Sequence, residues 1–421
     1  MKKRTYRKIS VKEVDATALV AELGSGRVVF AIDVAKVDMV AAVTAEDGRV
    51  LRTVCWRNPV ENGLVLALLA ALRGAGVAVE AVMESSGTYG DVLRQQLLEH
   101  GVPVFRVSGK RTHDAAEVYD GVPSLHDAKS AAIIAKLHAD GASVPWPALA
   151  AEKRELKAAI ATMDLYREQH QRLIHSLESS LARYWPELTE HLELSSATLV
   201  ALLARMGGPR DVAAAPEQAR GLMRGISHGL MEAETVEAVL QSATTSVGVR
   251  LLEQERVGLM TLAAEAHRAL KEFKKAKGVV ERLGMSGAAQ RLATTTGKTT
   301  AAVLVADVGD PLDYPSTRAY LKAYGLNLKE KSSGKQKGQL SITKRGPSRA
   351  RQYLWLAVCR WLQKDAVARA WYEAKIKRDG GRRSRGVTAL MRKFAQALFH
   401  VARGVALDSR KLFDVSRLRL A

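Results

Sequence analysis

Glu80-Ala81-Val82-Met83-Glu84-Ser85-Ser86-Gly87-Thr88-Tyr89-Gly90 runs a short apolar stretch into a carboxylate and then into small, turn-forming residues. From Asp91 onward, Val92, Leu93, Leu97 and Leu98 recur at helical spacing. The stretch reads as strand, acidic tip, turn and helix. A carboxylate at the C-terminal end of a strand is poorly placed for a core and well placed for binding, because strand ends open into crevices. Upstream, Val28-Val29-Phe30-Ala31-Ile32 has the unbroken apolar character of a strand buried on both faces, and it ends in Asp33. A single acidic residue there is usually a helix cap or a turn residue. Two acidic tips in one sheet point to a shared divalent-metal site, since carboxylate oxygens are the ligands a hard cation such as Mg²⁺ prefers.

Around these two strands the chain reads as strands over 39–44 and 49–56, joined into a hairpin by Glu46-Asp47-Gly48. An amphipathic helix over 61–72, the strand 77–84, a helix over 88–100 and a strand over 102–107 follow. Three strands in meander order, then alternating helices and strands, is the order of a ribonuclease-H-type sheet. In that fold the ends of strands 28–33 and 77–84 lie side by side, which would bring Asp33 and Glu84 together; the warrant is analogy of fold. Residues 1–26 read as a short helix or arm. Residues 114–139 read largely as helix, interrupted at Gly121-Val122-Pro123 and restarted by Ser124 as N-cap. Asp127 then falls in the first turn, where the helix dipole favours an anion. Helix electrostatics alone accounts for Asp127. Its place after the fifth strand, where this fold delivers its remaining carboxylates, makes it a candidate ligand as well. His126 reads as a supporting or surface residue.

The whole chain is expected to hold an α/β N-terminal domain of ribonuclease-H/RuvC-like type (1–147), a long helical linker or coiled-coil arm with a small helical insert (148–290), and a mostly α, basic C-terminal domain (291–421). Long amphipathic helices are expected over 150–185 and 249–283, with Gly- and Pro-punctuated short helices between them. Leu292 to Thr300 resembles a phosphate-binding loop only superficially: the first glycine of the motif is Leu292 here and no strand precedes it. Helices are expected over 300–308 and 316–324. The stretch from Gly325 to Gly338 is rich in Ser, Gly and Lys and reads as a flexible basic loop. A serine hydroxyl among cations is also what a phosphoryl-transfer nucleophile requires. Lys344, Arg345, Arg349 and Arg351 precede an apolar helix over 353–362, and Arg382, Arg383 and Arg385 form a second cluster beside Lys375 to Arg378. With Lys331, Lys335 and Lys337 of the Ser-rich loop, these are candidates for contact with a nucleic-acid backbone. Gly380-Gly381 and Gly386 suggest a mobile segment, and 387–401 a final core helix.

Among the 421 residues, 64 Lys and Arg against 44 Asp and Glu leave a formal charge of +20. So large a surplus favours a polyanionic partner, nucleic acid before membrane. No apolar run approaches the roughly 20 residues of a membrane span, and the basic start lacks the apolar core of a signal peptide. Cys55 and Cys359 lie in separate expected domains without zinc-ligand spacing, which suits a reducing, cytoplasmic setting.

Taken together, Ile32-Asp33-Val34-Ala35-Lys36, Glu84-Ser85-Ser86-Gly87-Thr88-Tyr89 and Gly325-Leu326…Ser333-Gly334…Lys344-Arg345-Gly346…Leu354, with Leu390 to Ala395, resemble the insertion-sequence transposases related to the pilin-gene DNA invertase. These are bridge-RNA-guided recombinases with a RuvC-like acidic domain and a C-terminal serine domain. The resemblance extends from 27 to about 415. It implies that Asp33, Glu84 and Asp127 are the first, second and fourth members of an acidic tetrad binding Mg²⁺ or Mn²⁺. The third position holds Ser124; Asp120 or Asp114 stands in, or the site works with three carboxylates. It implies that Ser333 is the catalytic serine, with Ser332 beside it.

The activity so implied is transposition through a covalent serine–DNA link. The implied partners are donor and target DNA, a structured guide RNA and further copies of the chain, as a dimer or tetramer. Two other readings stand beside it: a RuvC-like junction resolvase or nuclease that uses metal-activated water, and a non-catalytic nucleic-acid-binding protein with a decayed acidic site.

Overall fold

A few strands, apolar on both faces, build the first unit of the chain. In the computed structural model, which describes residues 7–23, 26–85, 87–333 and 336–418 and the backbone alone at 331–333, 336, 337 and 339, the chain divides into units Met1–Leu149 and Ala150–Ala421. Among the described residues the first unit holds seven strands: β1 (Lys8–Ser10), β2 (Arg27–Asp33), β3 (Asp38–Ala45), β4 (Val50–Arg57), β5 (Ala78–Glu84), β6 (Val104–Val107) and β7 (Val144–Pro145). They lie in the order β1-β4-β3-β2-β5-β6-β7. The β2–β3–β4 meander is antiparallel, β2, β5 and β6 run parallel, and β1 adds in parallel to β4.

Five α-helices accompany them among the described residues: α1 (Ala16–Leu23), α2 (Asn62–Gly74), α3 (Asp91–Glu99), α4 (Gly109–Asp120) and α5 (Asp127–Ala139). Val28, Phe30 and Ile32 of β2, with Ala81 and Met83 of β5, share one apolar layer with Val65 and Leu69 of α2 and Leu93 and Leu97 of α3. Val29 and Ala31 of β2 and Val82 of β5 face the opposite layer, formed by Ala128, Ala131 and Ile134 of α5. Each fully buried apolar side chain contributes about 1.5–3 kcal/mol, and β2 and β5 are covered on both faces. Register therefore decides which face the acidic tips join, since a slip of one residue turns every side chain over.

Two short strands escape the sequence reading. Residues 8–10 pair as β1 where an arm or helix was expected, although α1 follows, and 144–145 form β7 against β6. The start of α5 also differs. His126, not Ser124, is the N-cap, its ring nitrogen accepting from the Lys129 backbone N–H at 3.3 Å.

The second unit is built on two long helices, α6 (Ala151–Tyr184) and α12 (Glu253–Leu283), which run alongside each other. Between them lie α7 (Leu188–His191), α8 (Ala197–Met206), α9 (Pro209–Ala214), α10 (Pro216–Ile226) and α11 (Ala233–Thr245). After them come α13 (Gly287–Thr296), α14 (Lys298–Val308), α15 (Thr317–Ala323), strands β8 (Leu328–Ser333) and β9 (Gln336–Ile342), α16 (Ser348–Lys364), α17 (Ala366–Arg378), α18 (Arg383–Val401) and α19 (Ser409–Leu412).

The long pair serves two cores. Ile174, Leu177 and Leu181 of α6 and Leu259, Ala263 and Ala266 of α12 join α8, α10 and α11 in one. Leu156, Ile160 and Met163 of α6 and Ala276 and Val280 of α12 join α14, α16 and α18 in the other. Gly297, at φ +82°, is the joint between α13 and α14, so the stretch that mimics a phosphate loop follows a helix.

Two expectations for this unit are corrected. The Ser-, Gly- and Lys-rich stretch is a two-stranded antiparallel hairpin, β8–β9, and not an open loop. Gly380 and Gly381, both at positive φ, form the turn between α17 and α18, but Gly386 is buried inside α18. A Cβ on Gly386 would meet the Tyr372 ring at 2.9 Å, so this glycine permits close helix contact and marks no mobile segment.

Candidate metal centre and nucleic-acid interface

In register, Ile32 of β2 stands beside Met83 of β5, so Asp33 and Glu84 leave neighbouring parallel strands at the same edge of the sheet. Strand parity fixes their direction. Asp33 follows Val29 and Ala31, and Glu84 follows Val82, so both belong to the face covered by α5, whose first residue is Asp127. The three carboxylates act on one another: the Asp33 carboxyl is pushed up to about 7, first by burial, then by the negative charges of Asp127 and Glu84, with Lys8 opposing. Asp127 is held below the usual carboxylate range, chiefly by its bond to the Lys8 ammonium, whose Nζ lies 2.5 Å from Oδ2. Glu84 rests on the start of α4, where a Cβ on Gly109 would lie 2.5 Å from Oε1.

The donor chemistry fits a hard divalent cation, being all carboxylate oxygen and negative in sum. A cation, the Lys8 ammonium, is already drawn to it. Among the described residues, no three His, Cys, Asp or Glu side chains stand close enough together to enclose a metal ion as they are.

The stretch between α4 and α5 is tied down by one side chain. Lys129, 2% exposed, donates from Nζ to Asp120 Oδ1 at 2.6 Å, Val122 O at 2.5 Å and Ser124 O at 3.0 Å. Asp120 is thereby committed to a buried ammonium. Ser124 contributes its backbone carbonyl to the same anchor, and Asp114 pairs along its own helix with Lys110 at 3.6 Å.

In the second unit the Ser333 backbone pairs with Gln336 at the end of the hairpin. The side chains of Ser333, Ser332, Lys331 and Lys337, and all of Lys335, lie outside the described residues. The base of the hairpin is described in full and explains two glycines of the sequence pattern. A Cβ on Gly325, at φ +70°, would meet Arg345 N at 2.6 Å, and one on Gly346 would meet Ala323 O at 2.4 Å. Backbone crosses backbone there, and no side chain fits.

The basic residues divide in two. Arg349 bonds Asp307, Nε to Oδ2 at 2.8 Å, and Arg351 donates to Tyr324 O and Gly346 O, so both are engaged internally. Lys344, Arg345, Arg382, Arg383 and Arg385 are exposed. Arg382 and Arg385 line a groove of about 1080 Å³ together with Lys329 of the hairpin, Lys375 and Arg392. Lys375 is paired with Asp379 and Arg392 with the Leu326 carbonyl.

Sequence reasoning missed Lys8 and Gly109. Lys8 sits in a polar three-residue strand with no periodicity to reveal it. Gly109 carried a signal only as a glycine opening a helix that follows the acidic-tipped strands.

Residues 30–186 match a DEDD-type IS110 family model described as "Transposase", and residues 289–373 match the model described as "Transposase IS116/IS110/IS902 family". The first match contains Asp33, Glu84 and Asp127, and the second contains the hairpin with Ser333. Such DEDD domains are typically divalent-metal dependent, and transposases act on DNA. No curated protein matches the chain. Among the described residues, no helix is long and apolar enough to cross a membrane.

Proposed function

We propose that this chain, which carries IS110-family transposase domains, is an insertion-sequence recombinase that cuts and rejoins DNA through a phosphoserine link under the guidance of a structured RNA. The observation that supports the reading is the placement of Asp33, Glu84 and Asp127 on one face of the sheet, where burial first, and then the charges of Asp127 and Glu84, hold the Asp33 carboxyl up to about 7.

Asp33, Glu84 and Asp127 are the residues to hold a divalent ion, Mg²⁺ or Mn²⁺, whose chemistry is Lewis-acid polarisation of phosphate oxygens. Glu84 is positioned by Gly109, and Asp127 by the start of α5. Ser333 is the nucleophile: its Oγ forms a bond to phosphorus as the bond to the leaving sugar oxygen breaks, and the hydroxyl proton passes to that oxygen. Attack on the phosphoserine by a hydroxyl of a second strand reverses the step and rejoins DNA. A free hydroxyl is a weak nucleophile near neutral pH, so the reading requires carboxylates and serine, from one subunit or from different ones, at a single phosphodiester. The exposed Lys344, Arg345, Arg382, Arg383 and Arg385 suit nucleic-acid backbone, and a dimer or tetramer would bring two DNA sites together.

The test is denaturing capture of a protein–DNA adduct on insertion-sequence ends, with sequencing of the RNA that co-purifies. Ser333→Ala and Asp33→Ala should each abolish the adduct. Cleavage that survives Ser333→Ala but not Asp33→Ala would establish a nuclease using activated water instead. Retention of nucleic-acid-dependent function by Asp33→Ala in cells would favour a non-catalytic binder, the reading that Ser124 in an acidic position invites.

A further inference from the structure

We infer that the Lys8 ammonium is a resident cation of the acidic centre, paired with Asp127 at its exposed rim, and that the centre consequently loads one divalent ion and not a pair. The inference rests on the metal-binding role proposed above for Asp33, Glu84 and Asp127.

Its ground is how Lys8 arrives. β1 pairs in parallel with β4, Lys8 beside Thr53 and Ser10 beside Cys55. Along β4, Val54 and Trp56 face the α2–α3 layer, while Cys55 packs on the α5 layer. Lys8 shares the parity of Thr53 and Cys55, so it rises on the face that carries the three carboxylates. Its Nζ meets Asp127 Oδ2 at 2.5 Å.

Charge then limits the loading. Three carboxylates less one ammonium leave two negative charges, which a single divalent ion neutralises. A second ion, about 3.5–4 Å from the first in two-metal centres, needs carboxylate oxygens of its own. One Asp127 oxygen, Oδ2, is already given to Lys8, and Asp120 Oδ1 is given to the buried Lys129. Ser124, the remaining residue of that loop with a side-chain oxygen, is neutral.

Manganese bound per chain is counted by titration calorimetry and by Mn²⁺ EPR on the full-length protein, with Asp33→Asn supplying the background. Wild type should bind one ion more than Asp33→Asn. Lys8→Met, which frees Asp127, should bind that ion at least tenfold more tightly. Lys8→Arg should return the wild-type affinity, and Lys8→Met with Ser124→Asp should gain a second ion. Two ions in the wild type, or an isotherm unchanged in a folded Lys8→Met protein, overturns the inference while leaving the metal centre standing. Equal ion counts in wild type and Asp33→Asn would instead remove the metal centre itself, and the inference with it.

Discussion

Gly109 touches the Glu84 carboxylate: a methyl group on its Cα would come within 2.5 Å of Oε1. The obstructed atom is the end of a flexible side chain, so Gly109→Ala should move the carboxylate and leave the fold intact. At the first position of α4, replacing Gly by Ala normally adds about 0.4–1 kcal/mol. The expected outcome is an unfolding temperature equal to or above wild type, with Mn²⁺ affinity and adduct formation down tenfold or more. A loss of stability alongside unchanged metal binding would show that Glu84 has no part in the centre.

Asp33 links the same centre to pH. Its proton is held to about 7 in the folded chain against 3.8 for an unperturbed group. Its contribution therefore favours folding below pH 4 and is lost as pH rises through 7. Without divalent ions, Asp33→Asn should be about 2 kcal/mol more stable than wild type at pH 8, allowing for solvent screening of a partly exposed group. The difference should vanish near pH 4. Chemical denaturation of both proteins across this range checks it.

Lys129 holds the segment between α4 and α5 through Asp120 and two carbonyls. Lys129→Met takes the ammonium from two carbonyl oxygens and from the Asp120 carboxylate, which keeps the Val122 N–H, and this should cost about 3 kcal/mol. Protease cleavage in 121–126 should appear before global unfolding.

The arginines should separate by role. Arg349→Ala breaks the bond to Asp307 and should lower the unfolding temperature by several degrees. Arg382→Ala and Arg385→Ala should leave that temperature alone. Each should weaken nucleic-acid binding and reduce the slope of log K against log salt by about 1. Filter binding at several salt concentrations distinguishes the two classes.

The acidic strand tips were legible because Val28 to Ile32 and Ala81 to Met83 are apolar on both faces, a pattern few other elements produce. Their place on neighbouring strand ends followed from strand order read through analogy of fold. The helix start near 124–127 was legible only to within a few residues, because Ser124 and His126 both offer an acceptor, and it is His126 whose ring accepts from the Lys129 N–H and whose carbonyl takes the first helical bond, from Ser130. The β8–β9 hairpin was hidden by composition: Lys, Ser, Gly and Gln dominate it, and its Leu328 and Leu340 are 44% and 60% exposed. It persists through backbone pairing and the glycine crossing at its base. Lys8 was out of reach, since an ion pair between residues 119 apart leaves no local trace.

The buried members of the two cores of the second unit are separated on α6 by the stretch from Met163 to Ile174 and on α12 by that from Ala266 to Ala276. Adding seven residues to each helix there lengthens the pair by about 10 Å and turns one end by only about 20°. Separation between the two helical clusters is thus a gauge that evolution, or an engineer, can reset in whole heptads without redesigning either end.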